Sequence, residues 1–119
     1  MSVSIKGNKI TMTRGDTLYA GVSMLNKETG ERYNPEEGDV VRFAVKHKTM
    51  TANQGNYIDT NPLIRKVIPN DTQILKLESS DTKELQFGEY AYDVEITFAN
   101  GDVDTFIKEA TLKLTPEVD

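Results

Sequence analysis

Between Gly88 and Leu114 the residues alternate so regularly that a β-hairpin is the one local structure they fit. Tyr90, Tyr92, Val94, Ile96 and Phe98 occupy every second position, with Glu89, Asp93, Glu95 and Thr97 between them, the period of a strand that buries one face. Asn100-Gly101 follows. This pair takes positive φ at both central positions more readily than most dipeptides, as a type I′ turn requires, so the chain is expected to reverse there. On the return, Val103 and Ile107 sit on odd positions and Ala110, Leu112 and Leu114 on even ones. A β-bulge near Lys108 and Glu109 is expected to absorb the difference and keep both groups inward. A lone hairpin is marginal in water, so further strands must cover its apolar face.

Those strands lie upstream. Ile10 and Met12 mark a short strand over Lys9 to Thr13, and Arg14-Gly15-Asp16 turns the chain into Thr17 to Leu25, where Leu18, Ala20, Val22 and Met24 alternate with polar or small residues. Asn26 to Gly38 is a polar excursion with a break at Asn34-Pro35. Val41, Phe43 and Val45 then give Asp39 to His47 a buried face. Thr49 to Pro62 has no period, and a loop of that length is usually functional or mobile. Leu63 to Ile68 and Thr72 to Glu78 are two more short strands, with Val67, Ile68, Ile74, Leu75 and Leu77 as core candidates, although adjacent apolar residues leave their facing open. Ser79 to Glu84 carries cap-type residues and is expected to make one helical turn. With about seven short strands and no sustained helical period, the expected fold is a single all-β domain over residues 1–119, an immunoglobulin-like sandwich of antiparallel strands.

The composition excludes more than it suggests. The 119 residues include 14 basic and 19 acidic side chains, a formal charge of −5, which argues against a nucleic-acid backbone or an anionic membrane surface as partner. There is no cysteine, hence no disulfide framework and no thiolate metal site. No apolar run approaches a membrane span, and the first residues lack the apolar stretch of a secretion signal, so the product is expected to be released in the cytoplasm.

Chemistry is hard to find. His47 is the sole histidine, placed at a strand end, and is read as a structural or surface imidazole rather than a general base. Ser80-Asp81-Thr82-Lys83 matches S-x-x-K without its companion motifs. Asp102 and Asp104 share a strand face but lack the other oxygen ligands of a calcium loop. Arg14-Gly15-Asp16 leads straight into a strand and is read as a turn, not an adhesive tripeptide. No catalytic, cofactor or metal residue is assigned. Two aromatics in polar loops, Tyr33 and Tyr57, are candidate contacts for a ligand or partner, or pins that hold their own loops.

Two resemblances go further. Leu85-Gln86-Phe87-Gly88-Glu89-Tyr90 resembles the corner before strand F of immunoglobulin-like and fibronectin-like domains, with Tyr90 in the role of the corner tyrosine; the Cys pair and Trp of antibody domains are missing. The stretches Ile10 to Leu18, Gly38 to Lys46, Leu85 to Phe98 and Gly101-Asp102-Val103 together resemble a small β-sandwich of phages and prophages of Gram-positive bacteria. They are similar to the N-terminal domain of baseplate upper proteins, which continue into further domains where this chain stops at Asp119. The resemblance implies a non-catalytic virion protein of the tail or baseplate, made in the bacterial cytoplasm, with other tail proteins as partners. Symmetric tail assemblies also imply a homo-oligomer, a trimer or hexamer in context, with a monomer as the alternative for the chain alone. The alternative is a glycan-binding or adhesive module of a bacterial surface protein, acting through Tyr33 and Tyr57.

Overall fold

The computed structural model describes residues 3–6, 8–25, 29–47 and 62–116. In chain order the elements are β1 (Val3–Lys6), β2 (Lys9–Thr13), β3 (Leu18–Gly21), β4 (Met24–Leu25), β5 (Arg32–Tyr33), β6 (Val40–His47), β7 (Ile64–Ile68), β8 (Ile74–Leu77), α1 (Ser79–Thr82), β9 (Gly88–Thr97) and β10 (Val103–Thr115). The protein is all-β, as the alternation requires. Six strands form one sheet in the order β1-β2-β10-β9-β6-β7, and β3 pairs with β8, and β4 with β5, in two small ribbons.

The alternating residues decide which face is covered. Tyr90, Tyr92, Val94 and Ile96 of β9 and Val41, Phe43 and Val45 of β6 are buried side by side, because β6 and β9 pair antiparallel with Phe43 opposite Val94. Leu18, Ala20, Leu75 and Leu77 of the β3–β8 ribbon join the same hydrophobic cluster. Each large apolar side chain fully buried there contributes about 1.5–3 kcal/mol. Register also settles the doubtful strands: Ile64, Ile68, Leu75 and Leu77 point inward, while Val67 and Ile74 are 65 % and 41 % exposed.

Three expectations are corrected. Among the described residues there are ten strands rather than about seven, since Thr17 to Leu25 breaks into β3 and β4, and β1 and β5 were not foreseen. One pair, β2 with β10, runs parallel; alternation reports which face a strand buries, not the direction of its neighbour. The return strand has register shifts at two places, between Thr105 and Ile107 and between Ile107 and Ala110. The second includes Glu109, at φ +53°, near the expected bulge. The first lets Phe106 and Ile107 both lean on the core, and it turns Val103 outward, to 58 % exposure.

The hairpin turn is also different in kind. Only Gly101 has positive φ, at +97°, its N–H donates to the Phe98 carbonyl at 2.8 Å, and Phe98 N–H donates to Asp102 at 2.7 Å. This is a three-residue loop closed by a left-handed glycine, not a two-residue type I′ turn. The Asn100 side chain favours it by accepting from Asp102 N–H at 2.9 Å.

At the start of β9 the chain is held by polar contacts. Thr82 is wholly buried, and its hydroxyl accepts from Gly15 N–H at 2.8 Å. Lys66 on β7 meets Asp81 of α1 at 2.8 Å, and that contact raises the Lys66 pKa above the ordinary lysine value. Replacing Thr82 by Ala leaves the Gly15 N–H without its acceptor and is expected to lower stability by about 1–3 kcal/mol, with Thr82→Ser recovering most of the loss; urea denaturation of the three proteins measures both.

Candidate functional site

Sequence reading singled out Tyr33, Tyr57, Tyr90, Asn100 and Gly101. Tyr57, with residues 49–61 of its loop, lies outside the described residues. Tyr90 is buried, and its hydroxyl donates to the Gln86 carbonyl, four residues upstream, at 2.8 Å, the contact made by a corner tyrosine. His47 is exposed at the end of β6, its ring 5.8 Å from that of Tyr90.

Tyr33 and the Asn100-Gly101 hairpin converge on a residue that sequence reading passed over. Asp39 is 6 % exposed. Its carboxylate accepts from the Tyr33 hydroxyl at 2.6 Å, from Glu36 N–H at 2.8 Å and from Ala99 N–H at 3.1 Å. Its backbone carbonyl accepts from the Asn70 amide at 2.8 Å. One residue thus joins the β5–β6 loop, the β9–β10 hairpin and the β7–β8 turn. The Tyr33 ring meets Phe98 edge-on at 5.8 Å, so this aromatic pins its own loop. Gly38 makes the approach possible: it sits at φ +95°, and a Cβ there would lie 2.8 Å from the Cβ of Ala99. A Gly-Asp pair before an alternating run was the available signal. The groups it gathers are up to 60 residues away, which no local pattern reveals.

The electrostatics follow from these bonds. Donation by Tyr33, then by the Glu36 and Ala99 amides, holds the Asp39 carboxyl below its ordinary 3.8, against the opposing effect of burial. Conversely the hydrogen bond to Asp39, with burial and the charges of Asp39 and Glu36, pushes the Tyr33 hydroxyl from 10.0 to about 12.

The remaining features are surfaces. On the β3–β8 ribbon Tyr19 opposes Lys76 and Gly21 opposes Ile74; Tyr19 is 64 % exposed, with the Lys76 ammonium 5.5 Å from its ring centre. Each strand of this ribbon has one neighbour, so both outer edges are unpaired within the described residues. The Arg14 guanidinium lies 4.1 Å over the Phe87 ring and donates to the Leu85 carbonyl at 3.1 Å, which ties the Arg14-Gly15-Asp16 turn to the protein itself. On the opposite side, the outer face of β7-β6-β9 has a hollow of about 460 Å³ around Ala44, edged by Arg42, Arg65, Asp93 and Glu95. Among the described residues no three acidic or histidine side chains converge as a metal site would need. No helix among them is long and apolar enough to cross a membrane.

No family model, curated protein or solved structure matches the chain.

Three variants test the Asp39 junction. Gly38→Ala is expected to cost about 1–2 kcal/mol from the left-handed backbone alone, and more once Ala99 is displaced, as read from chemical denaturation. For pH, a carboxyl lowered on folding stabilises above its unfolded pKa and loses that contribution as pH falls through its folded value, and a phenol raised on folding loses its contribution as pH rises from 10.0 to about 12. Thermal melts of Tyr33→Phe across pH 9–12 are therefore expected to lack part of the alkaline decline of the wild type, and Asp39→Asn part of the acid decline below pH 4.

Proposed function

We propose that this chain is a non-catalytic structural component of a phage or prophage tail or baseplate, docking to other tail proteins through its sheet edges and faces. The observation that carries the reading is the β3–β8 ribbon. Its inner face shares the core, while its outer face presents Tyr19 and Ile74 between edges that no described strand pairs. An exposed edge invites another extended segment to add by main-chain hydrogen bonds, and an exposed aromatic beside it supplies an anchor.

The same reading takes the architecture as an immunoglobulin-like sandwich. On this reading β3 and β8 correspond to strands B and E of that fold, and β6, β9, β10 and β7 to C, F, G and C′; the strand order β10-β9-β6-β7 and the separate β3–β8 pair support it. The Tyr90 hydrogen bond at the start of β9 supports this assignment. The strand count and the parallel β2–β10 pair depart from the simplest seven-stranded form. The glycan-binding alternative rests on Tyr33 and Tyr57, and Tyr33 gives it little support, since its hydroxyl and its ring are engaged within the protein.

The test is mass spectrometry of density-purified particles from an induced culture of the source strain. The tryptic peptide from Glu84 to Lys108 is expected at a fixed ratio to known tail proteins. Recovery of that peptide only from the soluble fraction of a particle-producing culture rejects the proposal. Tyr19→Ala is expected to fold as the wild type and to lower incorporation into particles, by roughly tenfold if Tyr19 is a central anchor.

A further inference from the structure

The outer face of β7-β6-β9 carries its charges in an order that complements itself. In one cross-strand row Arg42 of β6 lies opposite Glu95 of β9 and opposite Val67 of β7. In the next row Ala44 lies opposite Asp93 and Arg65. The cations thus fall on the β6–β7 side and the anions on β9. Arg65 and Glu95 form no hydrogen bond or ion pair among the described residues, whereas one Arg42 nitrogen donates to the Thr97 hydroxyl at 2.9 Å, and Asp93 meets Lys46 at 3.4 Å and accepts from Glu109 N–H at 2.7 Å. Ala44 leaves the hollow of about 460 Å³ between the two sets.

We propose that this face is the interface of a symmetric dimer, and that its occupant is a second copy of this chain. The charge pattern selects the symmetry axis. A two-fold parallel to the strands, lying between β6 and β9, carries each position on one side to the matching position on the other. Glu95 of the second copy then comes over Arg42, and Asp93 of the second copy over the Ala44 hollow, beside Arg42 and Arg65. A two-fold across the strands instead sets cation on cation and anion on anion. An interface of this kind is isologous, so each pairing is made twice, and two sheets meeting face to face keep their strands within about 30° of alignment. Because the contacts are charge pairs at a solvated face, affinity is modest and falls with salt. The proposal does not depend on where in a virion or cell the chain works, and it differs from the trimer or hexamer that tail symmetry implies.

Charge reversal tests it. Sedimentation velocity of the wild type at about 50 mM salt is expected to show dimer at high protein concentration, with the dissociation constant rising about tenfold or more by roughly 500 mM. Arg42→Glu and Glu95→Arg are each expected to be monomeric, since each places like charges together twice, with circular dichroism and thermal melts confirming that both are folded. Mixing the two variants is expected to give a heterodimer, and the double variant to recover the homodimer. The mixture is the decisive arm, because restoring a pair within one chain cannot produce it. A wild type that stays monomeric at about 1 mM protein and low salt, or a dimer indifferent to both reversals, overturns the proposal.

Discussion

The carboxylate of Asp39 is the constraint on which one end of the molecule depends. Few side chains can fasten two loops at once; a carboxylate can, because it accepts up to about four hydrogen bonds and its charge strengthens each, and the Asp39 backbone carbonyl adds a third loop. Here it takes donors from Tyr33, Glu36 and Ala99, and its own backbone carbonyl takes Asn70. Such a group is costly to bury unless every bond is made, so the loops and the charge require each other. At the other end of β9 the Thr82 hydroxyl and the Arg14 guanidinium fasten α1 and the segment after it to the turn behind β2. The long central strand is therefore clasped at both ends by polar groups, and filled along its length by apolar ones.

That division explains what the sequence disclosed. The buried faces of β6 and β9 and the inward residues of β3 were legible because period two is a local property, visible in Val41, Phe43 and Val45 or in Leu18 and Ala20. The pairing of β2 with β10 was not, because nothing in Ile10 and Met12 names a neighbour 100 residues on. The hairpin shows the limit sharply. Asn100-Gly101 marked the reversal, but the turn type was decided by the Asn100 side chain and by Asp39 drawing in the Ala99 amide. Val103 was misassigned because a single bulge sufficed to reconcile the odd and even residues, and the second, at Phe106, left no separate trace in the pattern. Of the candidate residues, Tyr33 was found without its partner, and Asp39 and Thr82 were missed because their roles exist only between segments.

The two outer surfaces share this quality. The outward residues of β3 and β8 lie on one side of the core and those of β6, β7 and β9 on the other, so two contacts can be made at once without competing. One side offers an aromatic and, among the described residues, unpaired strand edges; the other offers charges in register.

The parallel pairing of β2 with β10 also has a consequence for how the protein is made. The Thr115 hydroxyl reaches the Met12 carbonyl across 103 residues of sequence, and Leu112 and Leu114 stand beside Ile10 and Met12. A ribosome adding about 5–20 residues per second needs roughly 5–20 s to cover that distance. Throughout that interval β2 can pair only with β1, and its inward side chains have no β10 beside them. The seam that joins β2 to the rest of the six-stranded sheet is thus the last to be synthesised, and the emerging chain must spend those seconds with an unpaired strand edge and its apolar side chains waiting for a partner.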